Sequence, residues 1–160
     1  MKTEEQVIEL LVQQKRTITT AESCTGGLIA ATLVNVSGAS KVLNEGYITY
    51  SNEAKQRLVG VDGNTLEEYG AVSEQTAREM AVGAARAASA DMALSATGIA
   101  GPDGGTAEKP VGLVYIGCCL ERETWVEKHV FAGNRAEVRR QTVDAALVLA
   151  REVLRKKKNS

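Results

Sequence analysis

Apolar and polar positions along this chain follow two periods, one helical and one alternating. In residues 3–15, Val7, Ile8, Leu11 and Val12 form a single stripe at helical spacing, with Glu4 and Glu5 in the first turn and Thr3 as the candidate cap. Lys15 and Arg16 close that helix. The β-branched run that opens at Thr17 predicts a short strand over 17–21. A small, polar stretch follows it, Thr20-Ala21-Glu22-Ser23-Cys24-Thr25-Gly26-Gly27. Beyond the two glycines, an apolar run from Leu28 predicts a helix reaching about Val36. Ser37 to Ser40 is a break. Gly46 to Tyr50 predicts the next strand, and Ser51 or Asn52 caps a short helix, Glu53 to Leu58, that carries Lys55. Val61 to Asn64 reads as a turn, and Leu66 to Tyr69 as one helical turn stopped by Gly70.

Ser73 starts an alanine-rich helix that runs to about Ala88, its small residues suited to close approach on a sheet. Asp91 to Thr97 is a buried strand. It runs into residues 98–112, a loop that holds five glycines and both prolines of the protein. A loop of that length in a compact domain is functional or disordered, and Ile99, Val111, the proline kinks and the low charge favour order. Gly112 to Leu120 and Glu123 to Phe131 are two strands of a hairpin turned by Glu121-Arg122. Asn134, with Glu137 three residues on, opens the last helix as a capping box, and Val138, Thr142, Ala145, Ala146, Leu149 and Val153 face inward. The element order predicts one α/β domain over residues 1–160, a three-layer α/β/α sandwich with a mixed sheet.

Composition narrows the function. With 160 residues and 44% hydrophobic content the chain buries a core, and only 4% aromatics beside abundant Ala and Gly predict closely packed helices. A net charge of −1 gives no general electrostatic reason to bind nucleic acid. The basic run Arg155 to Lys158 reads as a solvated helix end. Three cysteines, Cys24, Cys118 and Cys119, with no signal peptide and no apolar run near about 18 residues, point to a reducing cytoplasm and no membrane. Neither a CxxC nor a Cys/His cluster is present, so no metal site is expected. The single histidine, His129, falls in an alternating run and reads as an exposed strand position, which leaves a Ser-His or Cys-His system without its base.

The candidate chemistry therefore gathers at the turn over residues 20–27. A strand that ends in small polar residues and turns into a helix aims hydroxyls and N–H groups at one point. Ser23 or Cys24 suits a nucleophile with oxyanion donors beside it. The same loop suits a phosphate, or is a plain strand–helix turn with Ser23 or Thr25 as N-cap. A serine nucleophile without histidine needs another base, and a lysine with a lowered pKa serves. Lys55, five residues after Tyr50, is placed for that role; a solvated helix lysine is the alternative reading.

Three stretches taken together carry a resemblance. They are Thr20 to Gly27; Gly46-Tyr47-Ile48-Thr49-Tyr50-Ser51-Asn52-Glu53-Ala54-Lys55; and Thr97 to Gly105 with Lys109-Pro110-Val111-Gly112. In this order and spacing, with Tyr69 to Ser73 and Val138 to Gln141, the chain resembles the CinA C-terminal domain family, the bacterial nicotinamide-nucleotide amidohydrolases, in its stand-alone form. That resemblance implies hydrolysis of the carboxamide of nicotinamide mononucleotide to nicotinic acid mononucleotide and ammonia, by a Ser/Lys pair with no metal and no cofactor. It implies Ser23 as nucleophile, Lys55 as base and Tyr50 as a further catalytic position. Thr25, Gly26, Gly27, Thr97, Gly98 and Gly101 are then expected around the substrate, with Arg139 or Arg140 on its phosphate. A cytoplasmic homo-oligomer with a small-molecule substrate is the corresponding expectation.

Overall fold

The computed structural model describes residues 1–157 of the chain. Helix α1 (Thr3–Gln14) leads into strand β1 (Ile18–Glu22), and helix α2 (Leu28–Val34) follows the central turn. A single 3-10 turn, Ala39–Lys41, precedes strand β2 (Tyr47–Ile48). Three helices come next: α3 (Asn52–Val59), α4 (Gly63–Tyr69) and α5 (Glu74–Ala88). Strands β3 (Met92–Gly98), β4 (Leu113–Leu120) and β5 (Glu123–Val130) then complete the sheet, and α6 (Arg135–Lys156) is the last element.

The sheet order is β2-β1-β3-β4-β5, with β1 parallel to β2 and β3 and the β3-β4 and β4-β5 pairs antiparallel. Side chains alternate across a strand, so the even positions of β1 face one helical layer and the odd positions the other. Ile18 accordingly joins a core with Val7, Leu11, Ile29, Leu147 and Leu154, from α1, α2 and α6. Ala21 joins a second core with Val59, Leu66, Met80 and Ala84, from α3, α4 and α5. This is the three-layer α/β/α sandwich with a mixed sheet that the periodicity predicts.

Close packing depends on small residues. A Cβ at Gly83, inside α5, would stand 1.7 Å from the carbonyl oxygen of Val59, so α5 can lie against α3 only because that Cβ is absent. A Cβ at Gly117 would fall 2.5 Å from Ser95 Oγ and 2.7 Å from the Ala77 carbonyl.

Several boundaries differ from expectation, each for a local reason. Thr3 does not cap α1; Lys2 is the cap residue and makes no side-chain cap bond. The strand expected over Gly46–Tyr50 is only Tyr47–Ile48, because it is an edge strand whose single neighbour, β1, ends at Glu22. The turn expected at 61–64 is the start of α4, since Asp62 accepts from Asn64 N and begins the helix three residues early. Ser51, rather than Asn52, caps α3 through Ala54 N, and the capping box of Asn134 and Glu137 forms on α6. Of the basic terminal run, Lys158 lies outside the described residues; Arg155 pairs with Glu152 and Lys157 with Glu123 on exposed surface.

Candidate active site

The site is built where β1 ends. Glu22 is the last strand residue and its side chain, on an even position, points toward α2. Its carboxylate accepts from Ile29 N at 2.8 Å, Ala30 N at 3.0 Å and Thr25 Oγ1 at 2.7 Å. The cap position of α2 is Gly27, at φ 104°, which has no side chain to offer those amides. Glu22 thus does from the strand what a cap residue does from the helix, and the first N–H groups of α2 are occupied. The alternative reading of Ser23 or Thr25 as N-cap does not hold, and the start of this helix is not open to a phosphate.

Ser23 follows on the opposite face, toward α3. Its N–H donates to Ala96 O at 2.9 Å, extending the β1-β3 pairing, and the residue is 9% exposed. Gly26 at φ 58° and Gly27 let the chain reverse, and Gly26 N donates to Ser23 O at 3.1 Å. From α6, Arg139 Nε donates to Cys24 O at 3.0 Å and Nη2 to Thr25 O at 2.9 Å. The turn is held from two sides: its carbonyls by Arg139, the amides beyond it by Glu22. Among the described residues the N–H groups of Cys24, Thr25 and Gly27 donate to no other residue.

Lys55 reaches this point from α3. It is the largest fully buried side chain, 1% exposed, and its Nζ donates to Thr49 O at 2.8 Å while lying 3.1 Å from Ser23 Oγ. Thr49 N in turn donates to Glu22 O at 2.8 Å, so the carbonyl that fixes the lysine is itself fixed to the strand that carries the serine. Burial removes the ammonium from water and holds the Lys55 pKa below the ordinary lysine value of 10.5. No carboxylate forms an ion pair with it among the described residues. Cys24, next to Ser23, is 6% exposed, and burial pushes its thiol up to about 11, away from the thiolate.

Ser23, Cys24 and Lys55 line a cavity of about 310 Å³ with Tyr50, Asn52, Val72, Arg135 and the residues Thr97 to Gly101, Asp103 and Gly104. Of the positions expected around a substrate, Ser23, Lys55, Tyr50, Thr97, Gly98 and Gly101 are together here. Thr97 Oγ1 donates to Ala71 O at 2.8 Å. Gly98 has no room for a Cβ, which would meet Val114 Cγ2 at 2.6 Å and Leu113 O at 2.8 Å. Thr25, Gly26, Gly27, Arg139 and Arg140 do not line the cavity. Thr25 turns its hydroxyl to Glu22, Arg139 is held by the turn carbonyls, and Arg140 is exposed.

Arg135 is the arginine of this cavity, and nothing in the local sequence distinguishes it. As the first residue of α6 it donates to Gly101 O at 2.9 Å and Tyr50 OH at 3.0 Å, joining the two loops at the cavity rim. These partners are a carbonyl and a phenol oxygen, and among the described residues Arg135 forms no ion pair with a carboxylate. Glu22 was legible as part of the 20–27 stretch, but its bond to Ile29 N spans a separation visible only once the turn is folded. His129 lies on β5, stacked on Phe131 with its Nε2 3.0 Å from Glu127, and is not part of the cavity. No group of three or more His, Cys, Asp or Glu among the described residues is arranged to hold a metal ion, and no helix there is long and apolar enough to cross a membrane.

The mixed five-stranded sheet between two helical layers matches the fold of solved CinA superfamily proteins. A CinA superfamily protein from Klebsiella pneumoniae superposes with a TM-score of 0.93 at 33% identity, covering 96% of each chain. The competence/damage inducible protein CihA from Agrobacterium tumefaciens does so at 0.88 with 39% identity, covering 97% of each. The chain belongs to the CinA C-terminal domain family, whose model matches residues 1–154. Among relatives, a competence-damage inducible protein of Clostridium beijerinckii is 52% identical over 151 residues, 94% of this chain. One from Clostridium perfringens is 54% identical over 153 residues, 96% of this chain. The chain spans about 37% of the length of these curated relatives.

Proposed function

We propose that this protein is an amidohydrolase that cleaves the carboxamide of nicotinamide mononucleotide, releasing ammonia and nicotinic acid mononucleotide. The observation that carries the reading is the buried pair of Ser23 Oγ and Lys55 Nζ, 3.1 Å apart and open to one cavity. Its volume is at the lower end of the range of about 300–1,000 Å³ usual for small-molecule sites.

The chemistry follows from the protonation state that burial favours. A neutral Lys55 keeps one N–H on Thr49 O and turns its lone pair to the hydroxyl of Ser23. It takes the Ser23 proton as Oγ bonds to the carboxamide carbon and the C=O electron pair moves to oxygen. The N–H group of Cys24, which is adjacent to the nucleophile, lines the cavity and donates to no other residue, is a backbone donor for that oxyanion. The Lys55 ammonium returns the proton to the amide nitrogen, the C–N bond breaks and ammonia leaves. Water, deprotonated by the same lysine, then adds to the ester and Ser23 is released with the acid product. Arg135, whose charge meets only neutral acceptors, is the residue placed to take the phosphate, and Arg139 keeps the turn in shape.

The test is ammonia release from nicotinamide mononucleotide beside free nicotinamide and NAD. Turnover is expected for the mononucleotide, with a much lower kcat/KM for nicotinamide, which lacks the phosphate. Equal efficiency on nicotinamide would remove the phosphate subsite from the reading. Saturable binding of the mononucleotide with no ammonia would make the domain a nucleotide-binding module instead.

A further inference from the structure

We infer that Glu22 is a positioning residue for Ser23, acting jointly with Thr25, and that Thr25 serves the nucleophile rather than the substrate; this rests on Ser23 being the nucleophile. Glu22 is 1% exposed, Thr25 is 0% exposed, and neither lines the cavity. Both carboxylate oxygens are engaged: Oε1 accepts from Thr25 Oγ1 and Ile29 N, and Oε2 from Ala30 N. The backbone of the same residue accepts from Thr49 N, whose own carbonyl holds Lys55. A single residue therefore links the helix after the nucleophile to the loop that aims the base. Ser23 lies between these attachments, and no hydrogen bond joins its side chain to Glu22.

The geometry also says why a glutamate is used. The reversal after Ser23 needs left-handed φ at Gly26 and Gly27, and glycine at the cap position excludes the usual Ser, Asp or Asn. Two amides of α2, one buried and one partly buried, would then lack an acceptor. A carboxylate from the strand satisfies both and leaves Oε1 a second lone pair for Thr25. A Gln isostere keeps the size and one acceptor oxygen, but its NH₂ faces the Ala30 N–H, donor against donor. The start of α2 must then move, and the turn that sets the Ser23 Oγ position moves with it.

The experiment compares Glu22→Gln, Thr25→Val and Thr25→Ser with wild type in three readouts. These are kcat and KM on nicotinamide mononucleotide, thermal melting, and the rate at which a fluorophosphonate labels Ser23, followed by intact mass. In the labelling step Ser23 Oγ bonds to phosphorus, fluoride leaves and the serine proton passes to Lys55. Misplacing a nucleophile by about 1 Å costs roughly 10²-fold in rate, so Glu22→Gln is expected to lower kcat and labelling rate by about that factor. KM should stay within about threefold, since the interaction lost is not with the substrate. Thr25→Val should lose less than Glu22→Gln, and Thr25→Ser, which keeps the hydroxyl, less than Thr25→Val. A folded Glu22→Gln with wild-type kcat and labelling overturns the inference, as does a loss confined to KM. Equal losses in Thr25→Ser and Thr25→Val overturn it too, because the methyl would then matter as much as the hydroxyl. If Glu22→Gln does not fold, the Thr25 pair decides. A wild type that labels at Ser23 but releases no ammonia overturns the proposed substrate while the labelling comparison still decides the positioning role. A wild type that does neither overturns both.

Discussion

Lys55 Nζ lies 3.1 Å from Ser23 Oγ, although 32 residues separate the two in the chain. The contact is made by parallel pairing at the edge of the sheet. Ile48 registers with Glu22, Thr49 N donates to Glu22 O, and α3 starts three residues after Thr49 under the cap of Ser51. The first turn of α3 therefore falls beside the end of β1, and its lysine is the side chain that enters the gap. With the amine charged, Nζ donates to both oxygens. With it neutral, the serine hydroxyl donates to nitrogen, and the pair is poised for proton transfer.

The nucleophile is tested by two neighbouring substitutions. Ser23→Ala should lower turnover on the order of 10⁴-fold or more while leaving substrate binding measurable, as for removal of a covalent nucleophile. Cys24→Ala should retain a substantial fraction of activity, because the buried thiol stays protonated with a pKa of about 11. Ammonia release and calorimetric binding on both variants are the measurement. A dead Cys24→Ala beside an active Ser23→Ala would assign the chemistry to the thiol.

The pH dependence of both activity and stability follows from Lys55. Its folded pKa lies below 10.5, so the fraction of neutral amine, and kcat/KM with it, should rise as pH rises through that lowered value. For stability, the unfolded lysine binds a proton up to about 10.5, while the folded one has already released it at lower pH. Between the two values the unfolded state holds more protons, and stability rises with pH. Melting of wild type and Lys55→Met across that window should show wild type gaining relative to the variant toward alkaline pH. Parallel curves would mean that the lysine is not desolvated in solution.

Three arginines near the end of the chain should separate by kinetics. Arg135→Ala should raise KM for the mononucleotide by a factor that corresponds to about 1–2 kcal/mol, the value of a charge-assisted bond at a partly exposed site. Arg139→Ala removes the donors on Cys24 O and Thr25 O and should act mainly on kcat. Arg140→Ala, at an exposed position outside the cavity, should change neither by more than about twofold. A KM effect at Arg140 and none at Arg135 would relocate the phosphate.

Gly83→Ala opposes local propensity to tertiary packing. In an isolated helix the change is worth about 1 kcal/mol in favour of alanine. Here the new Cβ would stand 1.7 Å from Val59 O, a backbone atom that cannot rotate away. Destabilisation by about 3 kcal/mol, the upper part of the overpacking range, is expected in urea unfolding. Activity should fall as well, since α3 carries Lys55. A stabilised variant would mean that the α3-α5 contact is looser than described.

The helices, the strands and their layering were legible in the sequence because they rest on local quantities. The stripe of Val7, Ile8 and Leu11, the capping box of Asn134 and Glu137, and the β-branched run into Ile18 each involve residues within one or two turns. Ser23 or Cys24 was also open to reading as a nucleophile in a strand–helix turn, and Lys55 as a base in a chain whose one histidine lay elsewhere; the resemblance chose Ser23 over Cys24 and the base over a solvated lysine. Periodicity has no term for what a side chain meets across the fold. It therefore extended β2 to five residues, where pairing with the end of β1 permits two, and the resemblance that pointed to Arg139 or Arg140 left Arg135 unmarked. Which arginine enters the cavity is set by the rotation of α6 on its core face. Arg139 is turned toward carbonyls of residues 115 and 114 positions away, while Arg135 bridges Gly101 and Tyr50. Glu22 offers its carboxylate to α2 only because two left-handed glycines bring that helix back over the strand. These are contacts between distant segments, chosen by packing and by the need to pair buried polar groups, and only the folded chain decides them.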